Sequence, residues 1–268
     1  MDKILITGGN GYIAKSLYAA LKSKYDVTII SRKDLDLSNG DSIAQYMRNR
    51  YFDTVIHCAI KGGSRLKEDD ATIIDSNLLM YYNLYNNRSS FGRLISFGSG
   101  AELGNPTDPY GLSKHVIRQS ILNTPEFYNI RIFGVFDENE LDTRFIKANI
   151  KRYINKEPII IHKDKFMDFY YMKDLVHLIE YYIVGKDLIK EYNCSYSEVL
   201  SLKCIASIIN KLDDHKVEII TNQSGFGPHY YSIEQPNTLP YELYLHLQLN
   251  IKLEKGLEQV YKKLKNEI

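Results

Sequence analysis

The sequence predicts an α/β fold, a doubly wound parallel sheet with a small C-terminal α/β cap. Three observations predict it. The apolar run Lys3-Ile4-Leu5-Ile6-Thr7 leads directly into the glycine turn Gly8-Gly9-Asn10-Gly11, and Ile13, Leu17 and Leu21 follow at helical spacing. Apolar runs and helical patterns then alternate to about residue 136, as a parallel sheet with crossover helices requires. Beyond that point the rhythm loosens into a mixture of short runs and helices. The expected division is 1–136 with about 165–189 for the sheet domain, and about 137–164 with 190–268 for the cap.

The first strand and turn carry the pattern Gly9-x-Gly11-x-x-Ala14. Strand, glycine turn and helix start are the context in which this pattern means dinucleotide binding. One glycine makes the tight turn and a second lets the backbone approach a pyrophosphate. The small Ala14 lets helix and strand pack closely, and the helix N-terminus offers N–H groups and partial positive charge. A second strand, Asp26 to Ile30, ends in Ser31-Arg32-Lys33. An acidic residue there would hold a ribose 2′-OH; two cations suit a 2′-phosphate instead, so NADP(H) is favoured over NAD.

Asp34-Leu35-Asp36-Leu37 reads as a short third strand before the turn Ser38-Asn39-Gly40. Asp36 is placed either to accept from the adenine amine or to cap the helix that begins near Gly40. Phe52 to Ile60 is the next buried strand, and His57 within it reads as a packed core residue. Small Cys58 and Ala59 let a cofactor pass, and Lys61-Gly62-Gly63-Ser64 forms a turn at the carboxyl edge. A helix spans 71–88, a strand runs from Arg93 to Phe97 into Gly98-Ser99-Gly100-Ala101, and a helix runs from Pro109 toward Leu122. Phe127 to Phe136 is one further strand. A helix around 141–155, a strand from Pro158 to His162, a strand over Phe166 to Tyr171 and a helix from Lys173 to Val184 follow. An amphipathic helix from about Leu253 closes the chain.

With 268 residues and a formal net charge of +1, the chain can bury a large core and has no bulk electrostatic case for nucleic acid or an acidic membrane. Cys58, Cys194 and Cys204 are too few and scattered for a disulfide framework, and no spacing suits structural zinc. No apolar stretch approaches a membrane span, and the chain opens on a core strand instead of a signal peptide. A cytoplasmic protein with reduced thiols is expected.

The chemistry lies in Tyr110 and Lys114. Four apart on a helix, they share one face. A phenol titrates near 10, and an ammonium beside it stabilises the phenolate and lowers that value. Ser99, at the end of a neighbouring strand, can bond the same substrate oxygen. The three together suit a carbonyl that becomes an alcohol.

The chain resembles the extended short-chain dehydrogenase/reductases of the nucleotide-sugar epimerase/dehydratase type. Thr7 to Ala14, Val55-Ile56-His57-Cys58-Ala59, Ser99 and Pro109 to Lys114 carry the resemblance. Arg131-Ile132-Phe133, Asp168 to Asp174 and Leu253 to Leu257 extend it over essentially the whole chain. Ala59 to Gly63 and Arg32-Lys33 are most similar to the GDP-fucose synthases, which reduce a GDP-4-keto sugar with NADPH after epimerising it. The resemblance implies a Rossmann-like fold with Gly8, Asn10, Gly11, Tyr12 and Ile13 around the cofactor pyrophosphate. Ser31, Arg32, Lys33, Asp36 and Leu37 would hold its adenosine end, and Cys58, Ala59, Ile60, Lys61, Tyr110 and Lys114 the remainder. It implies a catalytic set of Ser99, Tyr110 and Lys114, and a nucleotide-diphosphate 4-keto sugar held by Lys61, Gly62, Ser99, Gly100 and Arg144. Arg144 reads equally as a plain surface residue. A homodimer through helices near 76–88 and 109–124 is implied too, with the cap binding substrate.

The departures narrow the reading. The epimerising cysteine and histidine of those synthases are matched by Ala101 and Arg144, which favours reduction without epimerisation. Dehydratases need an Asp-Glu pair where this chain has Gly100 and Ala101. The asparagine that usually follows the Arg-x-Phe strand is Gly134, the tyrosine after the serine loop is Leu103, and the arginine before Asp-Phe is Met167. An NAD-dependent 4-epimerase and a non-catalytic NADPH-binding protein remain the rivals.

Overall fold

A computed structural model describes residues 1–63, 68–196, 198–230 and 252–267. Ser64 of the carboxyl-edge turn and the stretch 231–251 of the expected cap lie outside the described residues. The chain divides into two compact units, residues 1–131 with 179–192, and residues 132–178 with 193–268.

The first unit is built on six strands: β1 (Lys3–Thr7), β2 (Asp26–Ile30), β3 (Phe52–His57), β4 (Phe91–Ser99), β5 (Phe127–Ile132) and β9 (Glu191–Cys194). Their order is β2-β1-β3-β4-β5-β9, with β1 parallel to both β2 and β3, and β3 parallel to β4. Ile4, Leu5 and Ile6 are fully buried, which is why these strands read as continuous apolar runs. Helices α1 (Tyr12–Leu21), α2 (Gly40–Met47), α3 (Thr72–Asn86) and α4 (Pro109–Leu122) supply the crossovers. On one side of the sheet Leu5, Ile43, Val55, Tyr81, Leu94 and Ile117 form a common core. The strand order turns back on itself between β1 and β3, so the carboxyl ends of these two strands open a crevice.

The second unit contains β6 (Val135–Phe136), α5 (Phe145–Ile154), β7 (Ile159–Asp164), β8 (Tyr170–Tyr171), α7 (Leu202–Ile209), β10 (Ile219–Phe226) and the closing helix α8 (Leu253–Asn266). Helix α6 (Met172–Val184) begins in this unit and ends in the first. β6 pairs with β8 and β10 with β7, both in parallel. Leu253, Leu257, Val260, Tyr261 and Leu264 of α8 recur at helical spacing and join Ile146, Ile150, Ile161 and Ile205 in a second core.

Four local expectations are corrected. Asp34 to Leu37 form no strand. The Asp34 carboxylate accepts the Ser31 N–H at 2.8 Å and hydroxyl at 2.7 Å, and Leu35 N–H donates to Ser31 O, so the segment curls into turns. Asp36 does not cap α2. Asn39 does, accepting from Ser42 N–H at 3.0 Å, while Asp36 takes the Ser38 N–H and hydroxyl. The single strand from Phe127 to Phe136 is broken after Ile132, and Val135–Phe136 pairs with Tyr170–Tyr171 instead. Gly134 makes that exchange, its carbonyl accepting from Tyr170 N–H at 2.7 Å. The run from Phe166 to Tyr171 is strand only over Tyr170–Tyr171, with isolated bridges at Phe166 and Met167.

Candidate active site

The crevice at the carboxyl ends of β1, β2 and β3 is a cleft of about 330 Å³. Gly8, Asn10 and Gly11 form its floor, and Ser31, Arg32, Asp36 and Leu37 its outer end. Cys58, Ala59, Ile60 and Lys61 form its inner wall. Gly8 has φ +73°, and a Cβ there would lie 2.7 Å from Ala59 N, so only glycine lets β1 and β3 close together at the turn. Gly11 is the N-cap of α1 and makes no side-chain cap bond, which leaves the helix terminus to an anion. Lys33, Tyr12 and Ile13 do not line the cleft. Leu35, Ser38, Ser76 and Met80 do, and the sequence reading missed them. Ser76 and Met80 stand four apart on α3, a spacing that marks one helix face without marking which side it looks to.

The outer end carries opposed charges. Arg32 reaches Asp36 at 3.3 Å, with 82% of its side chain exposed, so the pair holds it weakly. Asp34 and Asp36 are both held below the usual carboxylate range, Asp34 by its bonds from Ser31 and Asp36 by those from Ser38.

Ser99 ends β4 and is buried. Its hydroxyl accepts from Ala101 N–H at 3.2 Å, capping the 3₁₀ turn Gly100–Glu102. Tyr110 and Lys114 lie in the first turns of α4. Asp108 caps that helix by accepting from Gly111 N–H at 2.8 Å, with Pro109 preset at the first position. Lys114 is buried and donates from Nζ to the Phe97 carbonyl of β4. Burial pushes its ammonium down to about 8, against the opposing pull of Glu102. His57 is a packed core residue, its Nδ1 bonded to Thr7 Oγ1 at 2.9 Å. Burial, and secondly the Lys114 charge, push it down to about 3, so it stays neutral. Burial pushes the Cys58 thiol up, which keeps it protonated.

The loop Lys61-Gly62-Gly63 joins the cleft to this set. Asn77 of α3 accepts from Lys61 N–H at 2.9 Å and donates to Lys61 O at 3.0 Å and to Ser113 Oγ at 2.9 Å. Ser113 in turn donates to Tyr110 O at 2.8 Å. A Cβ at Gly63 would meet the Tyr110 ring at 2.8 Å, so the loop backbone rests on the phenol.

A model of the NAD dependent epimerase/dehydratase family matches residues 4–194. The chain belongs to this family. It is 24% identical over 252 residues to the CDP-abequose synthase of Yersinia pseudotuberculosis, spanning 81% of this chain and 87% of that one. Over 166 residues it is 33% identical to the GDP-L-fucose synthase of Azorhizobium caulinodans, 60% of this chain and 49% of that one. A GDP-mannoheptose C4 reductase from Campylobacter jejuni, solved with NADP bound, shares the fold with a TM-score of 0.77 at 15% identity, covering 98% of both chains. As a member of this epimerase/dehydratase family the chain is an enzyme that works with a nicotinamide cofactor. Its cleft fits one: a close glycine backbone and an uncapped helix terminus suit a pyrophosphate, and Leu35 and Leu37 give the outer end an apolar lining.

Two departures from the family pattern meet in the second unit. A Cβ at Gly134 would lie 2.9 Å from Met167 Cε and 3.0 Å from Phe169 Cδ1, so the room of an asparagine side chain is taken by these two. Arg144 is the exposed N-cap residue of α5 and makes no side-chain cap bond. Among the described residues no group of His, Cys, Asp and Glu is placed to hold a metal ion, and no helix is long and apolar enough to cross a membrane.

Proposed function

We propose that this enzyme reduces the C4 keto group of a nucleotide-diphosphate 4-keto sugar with NADPH, without epimerising it. The observation that carries the reading is Lys114, buried yet still basic, one helical turn beyond Tyr110 and bonded to the β4 strand that ends at Ser99. Bound NADPH supplies the hydride. Tyr110 Oη gives the proton to the oxygen that becomes the alcohol, so hydride and proton together complete the reduction. The Lys114 charge stabilises the phenolate left behind and holds the nicotinamide ribose. Ser99 Oγ, oriented by Ala101 N–H, donates to the sugar oxygen. Lys61, Gly62 and Gly100 border the sugar, and the second unit, with Arg144 at the start of α5, keeps the reading of a substrate-binding cap.

Ala101 supports the absence of epimerisation, because a methyl can neither give nor take a proton. The names of the relatives support a place in deoxysugar or heptose synthesis for surface polysaccharide. The active form is taken as a cytoplasmic homodimer through α3 and α4, where Leu79 and Tyr82 of α3 stand exposed. Ser31 and Arg32 at the outer end of the cleft support NADPH. Asp36, the carboxylate that lines the outer end of the cleft, supports a second reading in which NADH serves, its ribose hydroxyls bonding that carboxylate.

The test mixes the protein with NADPH or NADH and a panel of 4-keto sugar nucleotides. Reduced-nicotinamide absorbance should fall faster with NADPH. Tyr110→Phe should lose turnover by roughly 10²-fold or more while cofactor affinity holds. If absorbance never falls with any sugar, the reductase assignment is wrong.

A further inference from the structure

We propose that Glu102 is a positioning residue of the Ser99, Tyr110 and Lys114 site: its buried carboxylate pins the Ser99 turn and is the anion facing the Lys114 ammonium. The inference rests on the reductase reading above for what the site does, but not for the geometry.

The Glu102 side chain is fully buried, an unusual place for a carboxylate. One oxygen, Oε2, accepts the Ser99 N–H at 3.0 Å and closes a capping box on the turn that orients Ser99 Oγ. The other accepts from Asn129 Nδ2 and Arg131 Nε, both at 2.7 Å. Its backbone carbonyl bonds His115 Nδ1 at 3.0 Å, which ties the turn to α4 next to Lys114. Gly98 makes room for the carboxylate under β4, since a Cβ there would lie 2.8 Å from both its oxygens.

The charges around it explain the second role. Arg131 also reaches Glu191 at 2.6 Å, and Glu191 takes two bonds from Arg118. Two carboxylates and two guanidiniums thus balance one another. Lys114 is the surplus charge, faced by neutral His57 at the end of β3 and Cys58 just beyond it, by the Phe97 carbonyl from β4 and by Glu102 from the turn. Removing the Glu102 charge leaves the guanidiniums in excess and makes the buried ammonium easier to deprotonate.

Two substitutions separate the roles. Glu102→Gln keeps an acceptor for Ser99 N–H and removes the charge. Glu102→Asp keeps the charge and withdraws it from Ser99 by one methylene. Lys114 Nζ can be titrated by nitrogen NMR in the full chain with NADPH bound, its signal assigned by loss in Lys114→Met. For Glu102→Gln the midpoint should fall by about one pH unit, and turnover at pH 8 by about fivefold with little loss in mild acid. For Glu102→Asp the midpoint should stay within about 0.3 unit while turnover falls at every pH. An unmoved midpoint in Glu102→Gln, or equal losses at all pH in both variants, overturns the proposal. Should Glu102→Gln not fold, a displaced midpoint or an undiminished rate in Glu102→Asp overturns it alone. The midpoints need no sugar, so they read the charge role even if no 4-keto sugar is turned over.

Discussion

Gly63 has φ +69° and its Cα faces the Tyr110 ring. A methyl there meets two costs at once. The left-handed backbone disfavours an L side chain by about 1–2 kcal/mol, and the added carbon would stand 2.8 Å from ring atoms Cε2 and Cζ. Gly63→Ala should therefore displace the phenol and lower turnover by roughly 10- to 100-fold, with cofactor affinity close to native. Steady-state rates beside cofactor titration check this, and an unchanged rate would mean the loop does not set the phenol. At this scale the common helix of Tyr110 and Lys114 is legible in the sequence, because four-residue spacing fixes a shared face. Glu102 is not legible. Its meaning lies in Asn129, Arg131 and Ser99, two of which are remote in sequence, and a lone glutamate in a turn carries no sign of burial.

Among the elements, α4 carries Tyr110 and Lys114 and depends on its start. Asp108 satisfies Gly111 N–H, and Gly111 packs so closely that a Cβ would lie 2.5 Å from Ala101 O. Asp108→Ala should destabilise the fold by about 1 kcal/mol and lower the melting temperature by about 2–4 °C. Fraying of the first turn moves Tyr110, so turnover should fall by more than cofactor affinity does; thermal melts and kinetics on one preparation give both. If affinity and rate fall together, the cap stabilises the fold without serving the site. The parallel strands were legible as elements because burial on both faces leaves continuous apolar runs. Asp34 to Leu37 misled because leucines alternating with aspartates imitate a half-buried strand. The Asp34 and Asp36 side chains bond their own neighbours and win the backbone for turns.

At the scale of the molecule, burial depresses two bases in one unit and raises two carboxylic acids in the other. The first buries bases, His57 pushed down to about 3 and Lys114 to about 8. A depressed base destabilises the fold as it is protonated, so this unit loses stability as pH falls. The second buries acids, Asp174 pushed up to about 7 and Glu140 to about 8, both by burial first. One oxygen of Asp174 takes the Tyr196 hydroxyl and the other has no partner among the described residues. Raised acids favour the fold while neutral, so their contribution is full in acid and is lost as pH rises through about 7 and then about 8. Hydrogen exchange corrected for intrinsic rates should show residues 132–178 opening first as pH climbs from about 6 to about 9. Asp174→Asn should flatten that response. Equal loss of protection in both units would refute the assignment.

The Asn77 amide has consequences for timing. Its oxygen and both its hydrogens are engaged, two bonds to Lys61 and one to Ser113, and Ser113 holds the backbone of Tyr110. The rim of the cleft and the backbone of Tyr110 are thereby one mechanical piece. The Lys61 loop cannot swing outward without tugging the first turn of α4. On the proposed reading, departure of spent cofactor and re-arming of the phenol then share a clock, and a label on either element would record the same relaxation.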